Sequence, residues 1–278
     1  MNTKNLEYLN TQVFYTGFGT ELEKELKQQL ETNKPEFTLK HQVKYGNDEA
    51  NAILHFKKSL QSDLYFFNKY DLLLKQGHQP NQELKQTFYI GKENNITLKE
   101  AYNLLSGRAI NKNWTRLEKV GEGENIRYEG TGEKYNAWLQ LDFKNADESG
   151  NFKTQRYHEN YNFDLEKALS EQPIKGLNNE QDKTHLLDSL KKGNRHVVVL
   201  VEGDQSKQFF IEANPKDRTL NLYDSQMKRI NYKQETSASI VEESNNQKEI
   251  KSNKTEKLKA SDEKENSPTK RKKQRTRI

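Results

Sequence analysis

Residues 135–163 read YNAWLQLDFKNADESGNFKTQRYHENYNF, and the way this stretch folds decides the class of the protein. Tyr135, Ala137, Leu139, Leu141 and Phe143 take alternate positions, the two-residue period of a strand with one buried face. Lys144 to Gly150 then supply Asn, Asp, Ser and Gly, residues that turn a chain. Residues 151–163 return with the aromatic content of a second strand. Strand, short turn and strand make an antiparallel pair, and that excludes a purely helical fold.

The segment before this hairpin has helical spacing. In TLKEAYNLLSGR, residues 97–108, Thr97 and Glu100 have the offset of a capping box. Leu98, Ala101, Tyr102 and Leu105 form one stripe, and Gly107 stops the helix. The same order occurs on both sides of it. Upstream, GTELEKELKQQLE predicts a helix begun by Thr20 with Glu23 as its box partner and Leu22, Leu26 and Leu30 as its stripe. FTLKHQVKY, NAILHF and SDLYFFNKY follow as strands, the first burying Phe37, Leu39, His41, Val43 and Tyr45. Downstream, NNEQDKTHLLDSLKKGNR predicts a helix with Leu186, Leu187 and Leu190 inside. Lys191 and Lys192 sit at its negative end, and Gly193 comes after them. HVVVLVE, a two-residue turn at Gly203-Asp204, QFFIEA, a turn at Asn214-Pro215 and TLNLYD complete a third meander. A short helix DLEKALSEQ ends before Pro173. Residues 113–135, rich in Gly and charge, read as a long loop or a hairpin extension.

The expected fold is therefore α+β, with helices packed on antiparallel sheets. It comprises three loosely repeated helix-plus-meander units starting near Thr20, Thr97 and Asn178, a period of about 80 residues. The expected division is an N-terminal α+β unit over residues 1–92, two further units over 93–232 and a disordered basic tail over 233–278. That tail has no aromatic residue, glycine or cysteine, so it cannot bury enough surface to offset its ordering entropy.

Charge divides at the same boundary. Of 46 Lys and Arg, 13 follow Tyr232, and of 41 Asp and Glu, 8 do, which leaves 33 of each sign in residues 1–232. The whole net charge of +5 belongs to the tail, whose last twelve residues, SPTKRKKQRTRI, carry Lys270, Arg271, Lys272, Lys273, Arg275 and Arg277. These six can displace counterions from a phosphate backbone without any fold, so they are the candidate nucleic-acid-binding residues. A solubility or partner-docking role for the same run stays open. A second, weaker set interleaves cations with aromatic rings: Lys153, Arg156, Tyr157 and Tyr161, which on an exposed sheet could stack bases and pair phosphates. Ordinary sheet packing is the competing reading. Because the body balances its charges, no concentrated electropositive cleft is expected within it.

Enzyme signatures are scarce. With no cysteine, thiolate nucleophiles, disulfides and Cys-based zinc sites are excluded. Gly121, Gly123, Gly130 and Gly132 precede Lys134, but a phosphate loop needs Gly-Lys and then Ser or Thr at a helix start, whereas Tyr135 follows here. The six histidines form no metal-ligating pair, and His41 reads as a neutral core histidine. Asp142, Asp147 and Glu148 cluster where a turn would place acids anyway. No catalytic residue, metal or cofactor is expected. Residues 1–15 lack the basic-then-apolar order of a secretory signal, and no run approaches the roughly 18 apolar residues of a membrane span. A cytoplasmic protein without a membrane partner is expected; its mean hydropathy is −1.16.

The stretches LLSGRAINK, YNAWLQLDFK, GNFKTQRYHENYNFDLEKAL, PIKGLNNEQ, SLKKGN, EANP and YDSQMKR together resemble an uncharacterised bacterial domain family carried on conjugative or mobilisable elements. Members of that family occur in repeated copies or beside topoisomerase-type domains. YTGFGTELEKELKQQL and FFNKYD resemble the leading part of its short members. The resemblance covers roughly residues 5–230 and implies no catalytic residue. It implies a non-enzymatic accessory protein that binds nucleic acid, a protein partner, or both. The rival expectations are an interaction module that inhibits or scaffolds another enzyme, and a hydrolase that uses carboxylates such as Asp142.

Overall fold

A computed structural model describes residues 2–123, 126–202 and 205–230. The predicted turn at Gly203-Asp204 and the basic tail lie outside the described residues. Helix α1 (Thr3–Val13) leads through a π-helical turn, Phe14–Phe18, into α2 (Glu23–Glu31). Strands β1 (Glu36–Tyr45), β2 (Asp48–Lys58), β3 (Tyr65–Lys75) and β4 (Glu83–Tyr89) form an antiparallel meander. Helix α3 (Leu98–Leu105) precedes a second meander of β5 (Ile110–Val120), β6 (Arg127–Ala146) and β7 (Phe152–His158). After α4 (Leu165–Ser170) and α5 (Glu180–Lys191) comes the third, β8 (His196–Glu202), β9 (Gln205–Asn214), β10 (Thr219–Tyr223) and β11 (Arg229–Ile230). The fold is α+β with antiparallel sheets, and the described residues belong to one unit.

Two hydrophobic cores hold these elements. The first gathers Leu9, Leu26, Leu39, Leu54, Phe56, Leu72, Leu98 and Leu104, so α1, α2 and α3 all cover the first sheet. Here Phe37, Phe56 and Phe67 stack in sequence at centroid distances of 4.9 and 5.0 Å. The second core gathers Leu165, Leu169, Leu186, Leu190, Val198, Leu200, Ile211 and Leu222, and so packs α4 and α5 on the third sheet. Strand β6 serves both. Ala137, Leu139 and Leu141 face the first core, and Trp138, pointing the opposite way, lies in the second. The predicted one-sided strand is buried on both sides in its middle, because Phe163 comes up against the Trp138 ring at 5.3 Å.

The predicted capping box at Thr97 is present: Glu100 N–H donates to Thr97 Oγ1, and Thr97 N–H donates to Glu100 Oε2 at 2.9 Å. The box predicted at Thr20 is not. Helix α2 starts at Glu23 with Leu22 as its cap and no side-chain cap bond, and Thr20 only accepts the Glu23 N–H at its backbone carbonyl. The chain arrives already wound from the π-helical turn, with Leu22 buried at the cap position. The described part of 113–135 is a hairpin extension, formed by the end of β5 and the first half of β6.

Three side-chain amides imitate strand pairing where the ladders are interrupted. Asn5 accepts from Tyr65 N–H at 2.7 Å and donates to Tyr65 C=O at 3.0 Å. Asn94 does the same for Thr115, beside the β5–β6 bulge, and Gln86 for Phe152. Each amide satisfies one backbone donor and one acceptor.

Candidate functional site

The ends of α3 and α5 meet at a tightly packed joint. Asn103 is fully buried; its Nδ2 donates to Lys192 C=O at 2.7 Å and to Asn194 Oδ1 at 3.0 Å. Arg108 donates from Nη2 to Asn103 Oδ1 at 2.6 Å and from Nε to Gly193 C=O at 2.9 Å. The two residues thus take up carbonyls that the end of a helix would otherwise leave unpaired. Gly193 has φ +77, and a Cβ there would lie 2.8 Å from Ala109 O and 2.9 Å from Ile110 Cγ2. Only glycine supplies both the left-handed backbone and the close approach.

Beside this joint opens a cleft of about 630 Å³, walled by the β1–β2 turn, α3, the end of α5 and the third sheet. Its lining includes Lys44, Lys99, Arg108 and Arg195 and no carboxylate. The rings of Tyr45 and Tyr102 stack at 4.2 Å, and Lys99 Nζ lies 4.0 and 4.5 Å from their centroids. Arg108 Cζ is 5.0 Å from the Tyr102 ring. Cations held over ring faces gain from the ring quadrupole while losing water. That loss of solvation, and then repulsion from Arg108, pull the Lys99 pKa down to about 8.

Among the described residues, no carboxylate lies within ion-pair distance of Lys99 or Arg108. The nearby acids are committed elsewhere. Asp48 accepts the Tyr102 hydroxyl at 2.9 Å and the Gly77 N–H, Glu49 sits across the hairpin from Lys44, and Glu212 holds Arg195 at 3.0 Å. Glu212 also accepts the Tyr223 hydroxyl at 2.6 Å, and Arg195 Cζ packs 4.2 Å over the Tyr223 ring. Burial, and then the Glu212 carboxylate, push the Tyr223 pKa up to about 12.

This arrangement can bind an anion against an aromatic wall. At the joint beside the cleft, Ser189 Oγ lies 3.2 Å from His196 Nδ1. Ser189 Oγ also accepts a 3.4 Å bond from Asn194, and burial lowers the His196 pKa. With no third group orienting the imidazole among the described residues, the pair is a polar contact at the joint.

The residues singled out from sequence fall elsewhere. Lys270, Arg271, Lys272, Lys273, Arg275 and Arg277 lie outside the described residues. Lys153, Arg156, Tyr157 and Tyr161 are not brought onto one face. Tyr157 is buried in the second core, whereas Arg156, its neighbour on β7, packs 4.7 Å over Trp114 and donates to the Tyr135 hydroxyl. Lys153 is exposed opposite Asp142, and the Tyr161 hydroxyl donates to Lys216 C=O. Asp142 is half-buried near the end of β6 and Asp147 is an exposed turn residue; hydrogen bonds lower both carboxyl pKa values, from the Asn145 side chain and then the Lys144 N–H at Asp142, and from the Asn151 and Ser149 N–H groups at Asp147. His41 is largely covered at the edge of the first core, its ring edge-on to Phe18 at 5.5 Å and its Nδ1 3.6 Å from Glu21 Oε2. The expectation of a body without an electropositive cleft is overturned: the charges balance in sum, but folding concentrates four cations in one cleft. Only their types were visible in sequence, since they come from three separate segments and only Lys99 and Arg108 share one.

Among the described residues, no His, Asp and Glu group could hold a metal ion, and no helix is long and apolar enough to cross a membrane. No protein-family model, curated protein or solved structure matches the chain.

Proposed function

We propose that this protein is a non-enzymatic, cytoplasmic accessory protein of a mobile element that binds nucleic acid through two separate cationic features. One observation carries the reading: the cleft holds Lys44, Lys99, Arg108 and Arg195 against Tyr45 and Tyr102 with no acid in its lining. Cations placed beside aromatic rings suit a phosphate with a base attached. The tail adds the sequence-blind part of the affinity, six cations in its last twelve residues. The likeness of residues 5–230 to a family carried on mobile elements supports the setting, and the three helix-then-meander layouts support a distant internal repeat.

Fluorescence anisotropy with labelled oligonucleotides tests this reading. If all six tail cations contact phosphates, log K falls with log salt at a slope of about −5, and ending the chain at Tyr232 removes most of that slope. The cleft then supplies the residual binding, which Lys44→Met together with Lys99→Met abolishes. No binding at low salt, or residual binding untouched by the double substitution, sinks the proposal. A second reading, docking of a protein partner, is favoured by the rings of Tyr8, Phe14 and Tyr15, which are 50%, 49% and 74% exposed along α1 and the π-helical turn. Recovery of one stoichiometric protein after nuclease treatment, with or without the tail, supports that alternative.

A further inference from the structure

We infer that the cleft is a site for a phosphate monoester carried on a nucleotide, either a free nucleotide or the terminal nucleotide of a strand; only the second source rests on the nucleic-acid reading above. The first argument is charge matching. Among the described residues only Arg195 of the four has an ion pair, to Glu212; Lys44 faces Glu49 across the hairpin, and Lys99 and Arg108 have no carboxylate at ion-pair distance. Cations left without an ion pair call for more than one negative charge. A monoester carries about −1.5 to −2 near neutral pH, and an internal phosphodiester carries only one.

The second argument is shape. A volume of about 630 Å³ lies in the range of small-molecule sites. The cleft ends at the α3–α5 joint, so it suits one nucleotide better than a track of successive phosphates. The ring of Tyr45, half-buried and backed by Tyr102, together with Phe210 offers apolar surface for a base. Arg108 is already fixed by Gly193 C=O and Asn103, so its guanidinium loses little freedom when an anion arrives.

The third argument is the pH behaviour that this set of groups imposes. The charged and titratable groups facing Lys99 are Lys44, Tyr45, Asp48 and Glu49 from the first sheet, and Tyr102 and Arg108 from α3 and the residues after it. Arg195, Glu212 and Tyr223 face it from the third sheet. Burial raises the pKa of all three tyrosines and lowers that of Arg108, which stays cationic, so Lys99 is the group that titrates just above neutrality. An anion stabilises charged Lys99. The contribution of Lys99 is therefore full well below pH 8 and is lost as pH rises through about 8. A monoester gains its second charge near pH 6, so binding follows a bell between these two limits, and a diester has no acid limb.

The experiment uses the full-length protein at about 150 mM salt, where the tail's contribution is reduced. Nucleoside monophosphates are titrated calorimetrically, and oligonucleotides ending in a phosphate or a hydroxyl are followed by anisotropy. A terminal phosphate is expected to tighten binding on the order of tenfold, the worth of one charge-assisted hydrogen bond. Lys99→Met, which keeps the stem over the rings, removes that preference. Lys99→Arg retains it but loses the alkaline limb, because arginine does not titrate there. Monophosphate binding without oligonucleotide binding makes the free nucleotide the source and refutes the nucleic-acid reading alone. Preference for phosphate-ended strands without monophosphate binding makes the strand end the source. Equal affinity for both strand ends with no monophosphate binding, or a preference that survives Lys99→Met, overturns the inference.

Discussion

Replacing Gly193 by Ala tests whether the cleft depends on the α3–α5 joint. The residue sits at φ +77, a left-handed conformation that costs an L side chain about 1–2 kcal/mol. The added methyl would also meet Ala109 O at 2.8 Å and Ile110 Cγ2 at 2.9 Å, a backbone atom and a core side chain that have little room to yield. Overpacking of that kind costs about 1–3 kcal/mol. Together the two effects predict a loss of about 2–5 kcal/mol, a large part of the roughly 5–15 kcal/mol that holds an ordinary domain. Gly150→Ala is the control: φ is +82, but no atom lies within 4 Å of the new methyl, so only the conformational part of the cost applies. Urea denaturation of both variants separates the two contributions. The midpoint of Gly193→Ala should fall clearly below that of Gly150→Ala, with unchanged slopes. Equal losses would mean that α3 and α5 are not in the close contact described, and the argument that fixes Arg108 in the cleft would fail with them.

Thr97→Ala removes the capping box that starts α3 and should cost about 1 kcal/mol in the same assay; a neutral result would show that the box carries no stability. Burial by itself would raise the Asp71 pKa, but bonds from Thr87 Oγ1 at 2.6 Å and His55 Nε2 at 3.0 Å outweigh it and hold the carboxyl low. The stability this contributes is present above the ordinary carboxylate range and lost as pH falls through the depressed value. Thr87→Val should therefore raise the Asp71 titration midpoint seen by carboxyl NMR and move acid unfolding to higher pH. An unmoved midpoint would reject the role of Thr87. Asn5→Ala deletes both amide bonds to Tyr65 and should cost about 2–3 kcal/mol, with loss of hydrogen-exchange protection at the Tyr65 amide; retained protection would count against the amide pairing.

Much of the fold was legible because its signals are local. The alternation in 37–45 and 135–143, the box at Thr97 and the stop at Gly107 each need only a few neighbouring residues. Other elements failed that test. Helix α1 is begun by Asn2, but it buries only Asn5, Leu9 and Val13, too few apolar positions to make a helical stripe in its sequence. Strand β4 carries a buried Gln86 beside Thr87 and Phe88, and those polar positions make sense only against Phe152 and Asn151 on the second meander. The Thr20 box shows the opposite error, a correct local pattern overridden by the turn before it. The cleft was hidden for a different reason. Lys44, Lys99, Arg108 and Arg195 come from three separate meander or helix segments, and summing charge over the whole body averages away the clustering that only tertiary contact creates.

Strand β6 is a party wall. Because Leu139 and Trp138, adjacent in the chain, belong to different cores, a backbone shift that relieves crowding on one side is felt at once on the other. Neither half can be redesigned, loosened or duplicated alone without passing the disturbance through residues 137–141, and a cut there would strip both halves of a wall together.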